Sequence, residues 1–563
     1  MIRYRSQNQQ TLDGFSTPFQ TALDRENRWV KLAEILPWDE LSRGYHKSLS
    51  ATQGRPAKNG RLVIGAVIIK HKLCLSDEET VQQIQENPYL QYFVGFPHYQ
   101  TEPPFSPTLF VEIRKRMGQS VFEDFHAAII GAIEKKKPDK RGKKHHKTPP
   151  DAQSSSHGGG GVDPELNSPQ QHGDCPPAKA EQSSNSGRLI LDATVAEQAI
   201  RYPTDLSLLS EAREFSEKII DILYPHTTWT KKPRTYRKKA RQAFLAIAKQ
   251  RRPSRKAMRR GIKQQLQYLR RNLGHIDALM ATWPVGSEVP LPHWLMRRYW
   301  VIQHLHDQQW EMYRSNSRRC DDRIVSISQP HVRPIVRGKQ NKPVEFGSKL
   351  SVSLTDEGIA RVDHLRWDAF HEGHDLESQV EAYHRRYGHY PAVVLGDPLY
   401  GTRDNRHYLK KYGIRFAGKP LGRPPKVRDE NREEVERLKT QRREEYLQRI
   451  PIEGKFGQGK NGYRLNYIRA KLASTSSSWI NSIFLVMNLL VLVRFLVLLL
   501  TNGASWLKKW LTEAQHMFMK AIWPIRHDYG HENRLLSRIC GWSLAQADLQ
   551  AHDTTLFLKC HTT

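Results

Sequence analysis

Between residues 135 and 187 the chain has almost nothing from which to build a core. The stretch opens on Lys135-Lys136-Lys137 and stays basic to Lys147. It continues through Ser154-Ser155-Ser156 and Gly158 to Gly161, with many Pro and Gln residues. Ordering a residue costs roughly 1–2 kcal/mol of backbone entropy, and this composition has too few large apolar side chains to offset it. A disordered basic linker is expected here. It divides a chain of 563 residues into a part over 1–134 and a part from 188 onward. The length suits two to four folded units, and a hydrophobic content of 38% is enough to give them cores.

The first part reads as helical from residue 20 to 134. Trp29, Leu32, Ile35 and Leu36 recur at helical spacing before Pro37. Residues 61 to 73 form an apolar helix. Ser76 and Glu79 have the spacing of a capping box, and Asn87-Pro88 ends that helix. Ser106-Pro107 is expected to open another, with Ser as cap and Pro at the first helical position. Short helices with tight turns fit a small DNA-binding module, and they fit an ordinary helical bundle equally well.

The charge balance is 88 Lys+Arg against 58 Asp+Glu, or +30. Such a field attracts polyanions and makes nucleic acid the default partner. From Lys231 to Arg271 there are 17 Lys/Arg and no acid, with Phe244, Leu245 and Ile247 interleaved. This pattern predicts a cationic helical insertion between strands, over about 215–320. Arg237, Lys238 and Lys239 are its candidate phosphate contacts. The plain alternative is a solvated basic face, against which stands the mutual repulsion of so many uncompensated charges. The cysteines Cys74, Cys175, Cys320, Cys540 and Cys560 form no C-x2-C pair, which argues against a zinc ribbon and a disulfide framework and suits a reducing cytosol. No signal peptide is expected at Met1-Ile2-Arg3-Tyr4-Arg5. Ile483 to Leu500 has nearly the length and apolarity of a membrane span. Asn488 and Arg494 interrupt it, so a buried core helix and no membrane partner are expected.

The second part alternates strands and helices, the mark of an α/β fold. Leu189-Ile190-Leu191 reads as a strand before Asp192, and residues 205 to 224 as a helix. Ile324 to Ile327 reads as a strand, and Lys349–Leu354 with Ala360–Trp367 as a hairpin around Thr355-Asp356-Glu357-Gly358. Residues 375 to 386 are helical, and Ala392 to Leu395 is an apolar strand leading to Asp397. Residues 404 to 412 are helical, 414 to 417 extended, and 427 to 449 a highly charged helix. Tyr446, Arg449, Glu453 and Lys460 read Y-x2-R-x3-E-x6-K. Offsets of three and four put Tyr446, Arg449 and Glu453 on one helix face. Pro451 leaves open whether Glu453 continues that helix or starts a new one.

Asp192, Asp397 and Glu453 are the candidate catalytic residues and metal ligands. Phosphodiester chemistry needs an activated nucleophile and neutralised charge, which two metal ions about 3.5–4 Å apart supply. Mg²⁺ prefers a few carboxylates and keeps its waters. Arg449 and Lys460 suit the phosphate, one as a fork and one as a point charge. Each acid alone has an ordinary explanation: a turn cap, a turn start, a surface corner. Asp205, Asp356, Asp363 and Asp404 compete with them.

The joint pattern resembles the DDE transposases of bacterial insertion sequences that carry the YREK signature. Tyr446, Arg449, Glu453 and Lys460 match that signature. Leu191-Asp192-Ala193-Thr194-Val195 with Tyr202-Pro203-Thr204-Asp205-Leu206 resembles the first-acid context, and Gly396-Asp397-Pro398-Leu399-Tyr400-Gly401 the second. Glu453-Gly454-Lys455-Phe456-Gly457 through Arg469-Ala470-Lys471 resembles the third, and Glu86-Asn87-Pro88-Tyr89-Leu90-Gln91-Tyr92-Phe93 the helical N-terminal domain. The resemblance covers about 20–130 and 188–500. It implies an RNase H-like mixed five-stranded sheet with flanking helices, with Asp192 on the first strand, Asp397 just after the fourth, and Glu453 on a later helix. It implies an all-α DNA-binding domain over 1–134 and a catalytic domain over 188–500. It further implies binding to terminal inverted repeats, hydrolysis of DNA ends with two Mg²⁺ (or Mn²⁺) ions, and attack of the 3′-hydroxyl on target DNA without a covalent protein–DNA intermediate. Tyr446, Arg449 and Lys460 would lie near the cleaved end. A homodimer or larger synaptic complex follows, in the bacterial cytoplasm and on the nucleoid. The long basic insertion departs from the pattern, and residues 501–563, expected to be a helical tail, match nothing. The competing readings are a catalytically inactive, domesticated repressor, a nuclease that cuts without joining, and a membrane-anchored protein.

Overall fold

The computed structural model describes residues 22–50, 56–135, 185–284, 286–336, 343–422 and 428–496. Most of the expected linker and the whole of the 501–563 tail lie outside these residues. The chain divides into Met1–Val493 and Arg494–Thr563, and only residues 494–496 of the second unit are described.

The described N-terminal residues form α1 (Arg28–Ile35), α2 (Trp38–His46), α3 (Gly60–Lys72), α4 (Asp77–Glu86), α5 (Pro88–Phe93), α6 (Leu109–Arg116) and α7 (Gln119–Glu134). Local rules set most of the boundaries. Pro37 separates α1 from α2. The Ser76 hydroxyl accepts from Glu79 N–H at 3.1 Å and the Glu79 carboxylate accepts from Ser76 N–H at 2.7 Å, completing the capping box. Ser106 does not cap a helix as expected. Its hydroxyl faces that of Thr108 at 2.9 Å, and α6 begins at Leu109.

The second part contains, in chain order, β1 (Arg188–Glu197), α8 (Asp205–Leu223), α9 (Arg237–Ala248), α10 (Arg255–Met280), α11 (His293–Arg314), β2 (Arg333–Val336), β3 (Val344–Leu354), β4 (Ala360–Arg366), α12 (Leu376–Tyr387), β5 (Val393–Leu395), α13 (Arg403–Lys411), β6 (Arg415–Ala417), α14 (Arg432–Gly462) and α15 (Ala473–Leu496). The strands form one mixed sheet. Its order is β2-β3-β1-β5-β6, with β4 also paired to β3. β1 is antiparallel to β3 and parallel to β5, and β5 is parallel to β6. β1 is central because Leu189, Ile190 and Leu191 are all buried, as a strand covered on both faces requires. Gly347 allows β3 to approach β1 closely, since a Cβ there would lie 2.0 Å from the Ala196 carbonyl oxygen.

The expected strand at Ile324–Ile327 is absent. The pairing segment is Arg333–Val336, and Ile324 and Ile327 are buried against α8, α10 and α11. An apolar tetrapeptide serves a helical core as readily as a ladder. These helices have their own core of Leu209, Ile220, Leu266, Leu269, Ile276, Ile302 and Leu305.

α15 is long and apolar enough to cross a membrane, but 72% of its most apolar stretch is buried in the chain. Its polar interruption has a structural use. The Asn488 side chain accepts from Ala360 N–H at 3.0 Å and donates to Ala360 C=O at 2.7 Å, pairing a buried residue of β4. Such pairing removes the cost of leaving buried backbone groups unsatisfied.

Candidate active site

The sheet register brings the first two acids together. Ile190 of β1 lies beside Leu395 of β5 in parallel register. Asp192 and Asp397 each lie two residues beyond that pair, so adjacent strands carry them to the same level. Asp192 remains within β1, while Asp397 follows β5 and caps the turn Pro398–Tyr400, its Oδ1 accepting from Leu399 N–H at 3.1 Å.

Glu453 comes from α14, which runs unbroken from Arg432 to Gly462 with Pro451 inside it. Proline removes one helical hydrogen bond. The carbonyl that loses its donor belongs to Leu447, an exposed residue, where solvent can replace it. Ile452, Phe456 and Gly459 form the buried stripe of the helix. Glu445 pairs with Arg415 of β6 at one end. At the other, Ile468 N–H donates to Glu197 C=O at 2.9 Å, tying the returning chain to β1.

The shared face expected of Tyr446, Arg449 and Glu453 is therefore present. The Arg449 guanidinium lies 5.6 Å from the Tyr446 ring centre. Its Nη1 is 3.1 Å from Asp192 Oδ2 and its Nη2 is 2.5 Å from Glu453 Oε1. One arginine thus spans two acids 261 positions apart in the chain. Lys460 lies two turns beyond Glu453, partly buried in the last turn of α14.

Burial pushes the Asp192 carboxyl up to about 6. The Ala193 N–H and the Arg449 charge oppose the shift, while the charges of Glu372 and Asp397 add to it. Glu372 escaped the sequence reading. It is buried in the turn Glu372–Asp375 and accepts a 2.8 Å ion pair from Lys349 of β3. Asn405 clamps this turn to the one after Asp397, donating to Gly373 C=O at 2.7 Å and Tyr400 C=O at 2.8 Å. The fully buried Tyr400 hydroxyl beside Ser351 makes no hydrogen bond of good geometry. Burial and the charges of Glu372 and Asp192 push its pKa up. Glu372 had no local signal, because a polar turn looks the same whether buried or exposed.

The competing acids have other partners. Asp205 takes Arg323 at 2.5 Å and Gln309 at 2.8 Å. Asp363 takes Gln379 at 2.9 Å and Arg386 at 3.2 Å. Asp356 takes Arg188 at 2.6 Å, and Asp404 lies in the first turn of α13. The basic insertion is also less uncompensated than its sequence suggests. Asp221 of α8 binds Arg237 through both oxygens, at 2.7 and 3.1 Å, and Lys232 at 2.7 Å. Lys238 and Lys239 are exposed.

Among the described residues, no three His, Cys, Asp or Glu side chains are gathered into a ready-made metal cluster. The donor chemistry of the cleft still suits a hard cation: carboxylate oxygens, one carboxyl driven up by burial, and a buried hydroxyl without a good partner among acidic charges.

Two regions of the chain match known families. Residues 18–116 match a family described as Transposase domain (DUF772), and residues 394–490 match one described as Transposase DDE domain. The second match contains Asp397, Tyr446, Arg449, Glu453 and Lys460 but not Asp192. A Rhizobium meliloti protein, "Uncharacterized protein ORF8 in nfe locus", is 35% identical over 123 residues, 21% of this chain and 58% of that protein. The chain thus spans little more than half of that relative. No solved structure matches the chain. The two family matches support an insertion-sequence transposase.

Proposed function

We propose that this chain is a DDE transposase of the YREK-signature group. It binds the terminal inverted repeats of its element, hydrolyses the DNA ends and joins the 3′-hydroxyl to target DNA. The observation that carries the reading is the bridge from Arg449 to both Asp192 and Glu453, with Asp397 in register beside Asp192. An RNase H-like core is supported by the strand arrangement. Antiparallel β4-β3-β1 continues into parallel β1-β5-β6, with α14 packed across β1 and β5.

Asp192, Asp397 and Glu453 would hold Mg²⁺ or Mn²⁺, two ions per site, which would activate the attacking oxygen and steady the leaving one. The protein's own contribution is positional. β1 and β5 aim two carboxylates from a rigid sheet, and α14 brings the third from the side. Burial around Asp192 strengthens the charge interactions this carboxylate makes. Arg449 and Lys460 bind phosphate near the cleaved end, and Tyr446 supports Arg449. Residues 1–134 form the DNA-binding domain, 188–500 the catalytic domain with its insertion over about 215–320, and Lys238 and Lys239 contact DNA backbone. The working form is a homodimer or larger, because two ends are joined, and it acts on the nucleoid in the cytoplasm.

The test begins with the DNA flanking the gene, where short inverted repeats and a target duplication are expected. The purified protein should then nick a duplex carrying those repeats in Mg²⁺ and join the product to a plasmid. Binding without any nicking in Mg²⁺ or Mn²⁺ would overturn the reading in favour of a repressor.

A further inference from the structure

We propose that Arg449 is a resident counter-ion of the cleft: it holds Asp192 and Glu453 together, yields them to a divalent cation, and then turns to a DNA phosphate. This rests on the reading of the cleft as a metal-dependent centre. The guanidinium uses two different nitrogens on two different carboxylates, one from β1 and one from its own helix. It therefore occupies the space between them and cancels charge that a cation would otherwise cancel.

The hold is well placed to be reversible. The Glu453 side chain is 49% exposed and pairs with Arg449 at i,i+4 on one helix, a geometry that binds weakly. The third contact of Arg449 is the face of Tyr446, itself 58% exposed. A guanidinium leaving the acids thus moves along an open helix face. The Asp192 arm is more shielded, its side chains 14% and 16% exposed and 3.1 Å apart, so release begins at Glu453. A dication also outcompetes a guanidinium for carboxylate oxygens, having twice the charge at about 2.0–2.1 Å, whereas the planar fork of arginine suits a phosphate bidentately.

The device couples two ligands. A cation in the cleft frees Arg449 for phosphate, and a phosphate on Arg449 clears the cleft, so each tightens the other by the same factor.

The experiment uses the full chain, Mn²⁺ as the probe and a generic DNA duplex. Arg449→Gln is expected to bind Mn²⁺ about tenfold more tightly than the unmodified protein without DNA, with Arg449→Lys in between, since a single ammonium cannot span both acids. Mn²⁺ should tighten DNA binding by the unmodified protein and leave that of Arg449→Gln unchanged. Equal or weaker Mn²⁺ binding by Arg449→Gln would overturn the proposal, as would Mn²⁺-enhanced DNA binding that survives the substitution, because simple charge attraction would then suffice. If neither protein binds Mn²⁺ and Asp192→Asn changes nothing, the metal-centre reading itself fails.

Discussion

The acidic cleft and the basic insertion are both rich in charge, and they use it in opposite ways. In the cleft Asp192 and Glu372 are largely buried and meet single cations from other elements, while Glu453 is half-exposed and shares Arg449 from its own helix. In α9 and α10 many cations lie on helix surfaces, and Asp221 neutralises Arg237 at the start of α9. Burial makes charges interact strongly and specifically, whereas exposure leaves them screened and additive. The cleft is therefore suited to chemistry and the insertion to affinity.

The most severe test of this contrast is truncation of the acids. Asp192→Ala, Asp397→Ala and Glu453→Ala should each lower cation-dependent end cleavage at least about a hundredfold, while gel-shift affinity for DNA stays within a few-fold. Full cleavage by any one of them removes that residue from the site.

Titration sharpens the same side of the comparison. The folded pKa of Asp192 is raised from 3.8 to about 6. The folded state then holds the proton more tightly, so this group's contribution to stability falls as pH rises from 3.8 to about 6. Cleavage moves the other way, because the ionised carboxylate is the form that binds a cation, and should rise through pH 6. Urea melts across that window should show the slope, and Asp192→Asn should flatten it.

A buried polar contact outside both regions gives a reference. Asn488→Ala leaves the Ala360 N–H and C=O without their partner and should cost about 2–4 kcal/mol in chemical denaturation, with little change in the DNA affinity of the protein that remains folded.

The smallest expected effect belongs to the insertion. Lys238→Gln with Lys239→Gln should flatten the dependence of log K on log salt by roughly 2. Arg237→Gln should barely change it, since Arg237 is already paired with Asp221. Equal effects from all three would mean that Asp221 releases Arg237 to DNA and that the insertion is less internally neutralised than its geometry implies.

Much of the second part could be read from local pattern. The second strand of the hairpin, the helix after 375 and the strand before Asp397 lie within a residue or two of their expected places, whereas β1 runs on through Asp192 to Glu197 and β3 starts five residues early, at Val344. Ile324–Ile327 failed because apolar content alone does not say whether a segment pairs or packs. Pro451 misled in the other direction, since a proline ends a helix only where the lost bond cannot be replaced. The view of Lys231–Arg271 as uncompensated needs correction at Lys232 and Arg237, whose counter-charge, Asp221, comes from a helix outside that stretch.

What the chain determined by itself was therefore local: the alternation that makes strands, the spacing that makes helix faces and caps, and the grouping of Tyr446, Arg449 and Glu453 within two turns. These depend on residues a few positions apart, whose geometry is set by the backbone. Only the tertiary structure decided that Asp192 meets Arg449, that Glu372 and Tyr400 join the cleft, that Asn488 serves β4, and that Arg237 is taken by Asp221. Each of these is a contact between distant segments, and its energy depends on burial and register, which exist only once the sheet has formed.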